Sequence, residues 1–323
     1  MYIENAKLLI TNDLEKFNKI FSTSFYSEDY LLNKALSHLL PQKGKQIRPV
    51  LTILAAKICG NVTEQTYYLA AAFELLHSAS LAHDDVIDNS LKRRNVPTLN
   101  ANFKNKIAVL VGDYLITKTL EFINRTQSLI FFDHLKKVSM EIVRGELLQH
   151  QFSHNFIKED DYYNVIKMKT ASLFAACAMS GAVSGGGNEQ QAQALSTFGE
   201  YLGICFQIKD DIFDYYQNDD NVGKPVFNDI SEGKITLPLL YALNFATENE
   251  KNKIFEIINN NDISANDKEF VINLIIKYQG VDYAKKQMHI FREKAVDCLN
   301  VFENSEIKNL LIEMLDFAID REN

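Results

Sequence analysis

Tryptophan is absent from this 323-residue chain, and proline and glycine are scarce, at 5 and 13 residues. So few turn-formers in so long a chain predict long helices and few turns. Cysteine is limited to Cys59, Cys177, Cys205 and Cys298, far apart and with no CxxC pair. That spacing encodes no thiolate metal site, and the four read as buried free thiols in a reducing compartment. Basic charge is short as well: 34 Lys and Arg against 42 Asp and Glu leave a net charge of −8. This argues against non-specific nucleic-acid binding and against docking on acidic lipid. The opening MYIENAKLLITNDLEKF has neither the basic segment nor the apolar core of a signal peptide. No window approaches the roughly 18 apolar residues of a membrane span. A soluble, cytoplasmic protein is the expectation. Neither a Walker A loop nor GxGxxG occurs, so a standard nucleotide cradle is excluded.

Hydrophobic residues make up 46% of the chain, enough for a sizeable core, and they recur almost everywhere at helical period. Residues 3–37 carry Leu8, Leu14, Phe17 and Phe21 in such a pattern. GKQIRP (44–49) reads as a loop running into a helix, with Pro49 in a tolerated first-turn position. VLTILAAKI (50–58) is apolar nearly all round, which predicts a central, buried helix. A helix from about Thr63 runs to DDVIDN, a basic loop follows at 91–98, and helices are expected at about 100–125, 127–150 and 159–184. GGGN (185–188) breaks the chain before a helix at about 189–217. The polar stretch 217–234 is the longest without periodicity, Pro238 sits in the first turn of the next helix, and short amphipathic helices fill 248–321. With no strand run, no repeat and no low-complexity linker, the reading is one all-α domain over 1–323, a single large helical bundle around a central cavity.

Two aspartate clusters stand out: DDVIDN (84–89) and DDIFDY (210–215). Each places carboxylates at i, i+1 and i+4. Positions i and i+4 lie on one helix face, about 5–6 Å apart. Asp84 with Asp88, and Asp210 with Asp214, thus form carboxylate combs, flanked by Asp85 and Asp211. Like charges stacked this way cost a few tenths of a kcal/mol per pair. Both combs grow out of apolar helices, HSASLAH and LGICFQIK, where unpaired carboxylates repel and raise one another's pKa. A hard divalent cation removes that conflict, and Mg²⁺ is the natural one, taking a carboxylate or two plus water and phosphate oxygens. An EF-hand is excluded by the missing D-x-[DN]-x-[DN]-G loop. The cationic residues cluster near the combs: Lys45 and Arg48 in GKQIRP, Arg93 and Arg94 just after the first comb, Lys167 and Lys169 in IKMKTAS, Lys224 in VGKP and Lys234 in EGKIT. Together they describe a phosphate site, Arg as a bidentate fork and Lys as a point charge.

The ordered set GKQIRP, HSASLAHDDVIDNSLKRR, KTAS, FQIKDDIFDY, GKP and GKITLPL resembles a trans-isoprenyl diphosphate synthase, the polyprenyl synthetase family, over about 40 to 240. The resemblance implies these roles. Asp84, Asp85, Asp88, Asp210 and Asp211 would hold Mg²⁺, about three ions per site, bridging an allylic diphosphate; Asp214 would support them. Arg93, Lys169, Lys224 and Lys234 would bind that same diphosphate. Lys45, Arg48, His77 and Arg94 would bind the diphosphate of isopentenyl diphosphate. Thr170 and Gln207 would face the allylic carbon, with Phe206 nearby, while His83 is read as structural. A homodimer is also implied, and the apolar helices at 100–150 are the expected interface. Two departures from the family pattern stand in this chain: Asn95 follows the paired arginines where the family usually has Gly, and Val226-Phe227 occupies a segment where it often has Gly. Neither removes a ligand.

In this family, bulk on the helix below the first comb sets product length. Ala79 and Ser80 are small, which predicts an open tunnel and a product longer than farnesyl, with Phe73 or Phe122 as its floor. A class I terpene cyclase or head-to-head prenyl synthase shares one Asp-rich motif, but the second comb and GKQIRP favour elongation. A non-catalytic subunit of a heteromeric synthase is the remaining alternative, and the intact combs argue against it.

Overall fold

A computed structural model of the chain describes residues 2–39, 45–93, 96–216, 227–260 and 262–321, and it is all-α apart from one tiny ribbon. The long helices begin where capping side chains stand. Thr63 accepts from the backbone N–H of Thr66, whose hydroxyl receives the N–H of Thr63 in return. This reciprocal cap starts α5 (Glu64–Ile87), which carries the first comb at its end. Thr98 caps α6 (Leu99–Arg125) by its side chain alone, accepting from the Ala101 N–H, and α6 is kinked at Lys104, where φ is 70°.

Ahead of α5 lie α1 (Tyr2–Leu9), α2 (Thr11–Ser22), a 3₁₀ turn, α3 (Tyr30–Leu39) and α4 (Ile47–Cys59). The expected helical stretch at 3–37 is thus broken, first at Ile10, whose backbone leaves the helical region. Helix α4 is central: Val50, Leu51, Ile53, Leu54, Ala55 and Ala56 are fully buried, as its all-round apolar sequence requires. After α7 (Leu129–Phe152) and α8 (Glu159–Ile166), a π-turn at Lys167–Ala171 leads into α9 (Ser172–Ser184). The expected helix at 159–184 therefore carries an irregular turn where Lys169 and Thr170 sit; such turns occur frequently at functional sites.

Helix α9 packs between α4 and α10 (Glu189–Tyr216). The backbones approach so closely that a Cβ on Gly181 would stand 2.3 Å from the Thr52 carbonyl oxygen, and one on Gly203 2.6 Å from Ala171 Cα. Glycine at these two points lets α9 and the turn before it pack closely on α4 and α10. The C-terminal part comprises α11 (Asn228–Ser231), α12 (Leu237–Phe245), α13 (Glu248–Ile258), α14 (Ala265–Lys277), α15 (Gly280–Cys298) and α16 (Glu306–Asp320). Pro238 lies in the first turn of α12, as expected, whereas α15, at 19 residues, is not short. The expected basic loop at 91–98 contains an antiparallel pairing of Lys92–Arg93 with Val96–Pro97. The bundle surrounds a cavity of about 1400 Å³.

Candidate active site

Both combs sit at helix C-termini. Asp84 and Asp85 lie in the last turn of α5 and Asp88 caps it; Asp210, Asp211 and Asp214 lie in the last two turns of α10. The helix dipole puts partial negative charge there, so anionic side chains are at the unfavourable end. All six line this cavity. Compensation comes from cations reaching in from elsewhere in the chain.

On the first wall, Arg93 donates from Nε and Nη2 to Asp85 Oδ1 at 2.9 and 2.8 Å, and Asp85 is only 6% exposed. Burial pushes Asp84 up to about 6, with Glu146 and Asp88 adding to the rise and Lys169 and Arg93 opposing it. Lys169 itself forms an ion pair with Glu146 on α7. Lys234 pairs with Glu232, and its Nζ stands 3.9 Å from Asp88. Burial works against the Lys234 charge, but Asp229, Glu232 and Asp88 together hold its pKa above the ordinary value.

The second wall is organised differently. Asp211 is 3% exposed. It accepts from Tyr162 Oη at 2.6 Å and from Gln207 Nε2 at 2.8 Å, and Gln207 Oε1 accepts from Thr170 Oγ1 at 2.8 Å. Burial, with Asp229 adding to it, pushes Asp211 up to about 8. Asp214 is drawn up to about 8 by the same two causes. Both Asp214 oxygens accept backbone N–H groups, of Asn228 at 3.0 Å and of Asp229 at 3.1 Å. Asp214 thus caps the single-turn α11. Asp210 Oδ1 accepts from Arg321 Nη2 at 2.6 Å.

The remaining expected residues converge on the same cavity. Lys45, Arg48 and His77 line it; Lys45 Nζ lies 4.9 Å over the Phe317 ring and the Arg48 guanidinium 4.5 Å over Phe174. Phe206 also lines it and packs at a tilt against Phe174, ring centroids 5.5 Å apart. Arg94 and Lys224, with Asn95 and Val226, lie outside the described residues. His83 packs over Gly112 and faces Asp113 at 3.5 Å, away from the cavity lining.

A family model described as polyprenyl synthetase matches residues 29–275. The chain belongs to the polyprenyl synthetase family. It is 33% identical over 322 residues to the octaprenyl diphosphate synthase of Haemophilus influenzae, covering 99% of this chain and 98% of that one. It is 32% identical over 330 residues to the geranylgeranyl diphosphate synthase of Sulfolobus acidocaldarius, covering 99% of each. The crystal structure of a polyprenyl synthase from Caulobacter crescentus complexed with calcium and isoprenyl diphosphate matches with a TM-score of 0.95 at 32% identity, covering 99% of this chain and 98% of that one. As a member of this family the chain is a prenyltransferase that elongates prenyl diphosphates.

Several residues of this polyprenyl synthetase site escaped the sequence reading. Glu146, Tyr162, Asp229, Glu232 and Arg321 all line the cavity. Glu232 stands two residues before Lys234 and was open to local inspection; the others have no local pattern. Arg321 is the least expected. It stands just after α16, and it also donates to the Phe206 carbonyl at 2.9 Å and lies 3.7 Å over the Phe206 ring. In this position its charge occupies the first carboxylate of the second comb. Arg321→Ala is therefore expected to strengthen Mn²⁺ binding, read by electron paramagnetic resonance, by roughly fivefold, the factor that about 1 kcal/mol of ion pairing represents. The gain should vanish in an Asp210→Asn background.

The donor set fits Mg²⁺. Its oxygens are hard carboxylates on facing walls. Among the described residues no three metal-binding side chains converge into a cage. Mg²⁺ keeps waters and uses one or two carboxylates with substrate phosphates, so an uncaged arrangement suits it.

The two residues expected to bear on product length separate. Ser80 lines the cavity, with its hydroxyl tied to the His77 carbonyl at 2.9 Å. Ala79 is fully buried and outside the lining, as are Phe73 and Phe122, the expected floor. Helix α5 as a whole packs against α6, α4 and α9. Apolar lining comes from Phe21, Phe25, Leu39, Leu81 and Leu99, on α2, the 3₁₀ turn, α3, α5 and α6.

Proposed function

We propose that this chain catalyses the Mg²⁺-dependent, head-to-tail condensation of isopentenyl diphosphate with an allylic prenyl diphosphate, giving a product longer than farnesyl. The observation that supports it most is the pairing of two carboxylate walls with cations and apolar residues around one cavity of about 1400 Å³. Bound Mg²⁺ would be held by Asp84, Asp88 and Asp210, with Asp85 and Asp211 behind them, and would neutralise charge growing on the leaving diphosphate.

The chain's own residues supply the rest. Lys169, Arg93 and Lys234 bring positive charge to the allylic diphosphate, and Lys45 and Arg48 to that of isopentenyl diphosphate. When the allylic C–O bond breaks, the carbon left behind needs oxygen dipoles and no water. Thr170 and Gln207 supply the dipoles, and Phe206, Leu173 and Ile166 help to keep water out. The double bond of isopentenyl diphosphate then forms the new C–C bond, and the proton lost from the adduct passes to the released diphosphate. No protein nucleophile is required.

Apolar side chains stay exposed along α6 and α7, among them Leu110, Leu120, Met140, Val143 and Leu147. Exposed patches of this kind mark interaction sites. We read this face as the homodimer interface, checked by sedimentation. No helix among the described residues is long and apolar enough to cross a membrane, and the four cysteines are free, in keeping with a cytoplasmic setting. The deciding experiment incubates the purified protein with isopentenyl diphosphate, Mg²⁺ and a series of allylic primers. Longer diphosphate-bearing chains are expected. A released hydrocarbon would mark a cyclase instead, and no turnover by the lone chain would mark a subunit of a heteromeric enzyme.

A further inference from the structure

The side-chain amide of Gln207 has two chemically opposite ends, an NH₂ that donates and a carbonyl that accepts. Which end faces a nascent allylic cation matters: a carbonyl oxygen stabilises positive charge and N–H groups oppose it. The choice is made outside the residue. Nε2 donates to Asp211 Oδ1 at 2.8 Å, and Oε1 accepts from Thr170 Oγ1, 2.8 Å away. Asp211 is in turn held by Tyr162, whose hydroxyl donates to Oδ2 at 2.6 Å. Tyr162 is 4% exposed and its ring packs edge-on against Tyr163, so the hydroxyl has little freedom to leave. It stands on α8, just ahead of the π-turn that carries Thr170. Three segments that meet at the cavity thus form one chain of hydrogen bonds, Tyr162 to Asp211, Gln207 to Asp211, and Thr170 to Gln207.

We propose that Tyr162 is a positioning residue for the cation-forming step: it fixes the plane of the Asp211 carboxylate and thereby keeps the carbonyl end of Gln207 beside Thr170. With the Tyr162 hydroxyl gone, Asp211 Oδ2 loses its donor, the carboxylate rotates to find another, and the amide of Gln207 is released to turn. The inference rests on the prenyl-transfer reading, because it concerns the cation which that reaction forms.

Tyr162→Phe keeps the ring and removes only the O–H. The expected result is a roughly tenfold lower kcat, the factor that about 1.4 kcal/mol of transition-state stabilisation represents, with KM for both diphosphates within about twofold of wild type. A purely structural residue would move KM and melting temperature instead. In a Gln207→Leu background, which has no amide to orient, Tyr162→Phe should change kcat no further. An unchanged kcat, or the same loss in both backgrounds, overturns the proposal. A second measurement needs no turnover: the side-chain amide protons of Gln207, identified by NMR through their loss in Gln207→Leu, should be protected from exchange in the wild-type protein. Rapid exchange there sinks the orientation argument even if Tyr162→Phe fails to fold. Protected amide protons in a protein that transfers no prenyl group would count against the catalytic reading alone.

Discussion

Asp84→Asn and Asp210→Asn each lower prenyl-transfer turnover by about 10²–10³-fold, the size expected when a preorganised charge is removed from a partly dry site. The substitutions are isosteric, so the loss reports charge rather than shape. Asp84 is pushed up to about 6 by burial against the pull of Lys169 and Arg93, so a cation between the walls favours its charged form. Asn there removes the reason for a cation to bind. Asp210 faces it from α10 and is the carboxylate that Arg321 holds. Turnover is read by incorporation of labelled isopentenyl diphosphate at saturating substrates. Asp214→Asn is the control on the same helix. Its oxygens serve the Asn228 and Asp229 amides, so it should cost about 1 kcal/mol of stability, the usual worth of a helix cap, and far less turnover than Asp84→Asn. Near-normal rates for Asp84→Asn and Asp210→Asn would refute the bridging of the two walls.

Ser80→Phe shortens the product. Ser80 stands one turn below Asp84 on the cavity wall, and a helix turn rises 5.4 Å, about one isoprene unit. A phenyl ring there meets the growing chain within the first condensations, and the product should fall toward farnesyl length with turnover largely kept. Chromatography of the dephosphorylated products reads the distribution. Ala79→Tyr behaves differently: Ala79 is fully buried, so the added ring overpacks the neighbouring side chains and lowers stability by about 1–3 kcal/mol. An unchanged distribution in Ser80→Phe would place the growing chain along another part of the lining, and Phe21 and Phe25 would be the next substitutions.

Much of the architecture was legible because helices are local objects. The 3.6-residue period, the helix start near Thr63, the GGGN break and the position of Pro238 each involve residues within one or two turns of one another. So does the comb pattern, since i and i+4 share a face in any helix. The breaks near Ile10 and in the π-turn at 167–171 were missed, because neither carries a glycine or proline and each is decided by packing.

The sequence by itself determined the helical class, the two combs and the supply of cations that must answer them. Only the tertiary structure decided which cation answers which carboxylate. Arg93 reaches Asp85 across eight residues, but Tyr162 reaches Asp211 across 49 and Arg321 reaches Asp210 across 111. Glu146, Asp229, Tyr162 and Arg321 carry no periodic or motif signal of their own, and they acquire a role when α7, α8, α11 and the end of α16 close around the cavity. The same closure separates Ala79 from Ser80, adjacent in sequence and alike in size. A helix turns about 100° per residue, and that angle puts one of them into the buried packing and the other onto the wall of the site.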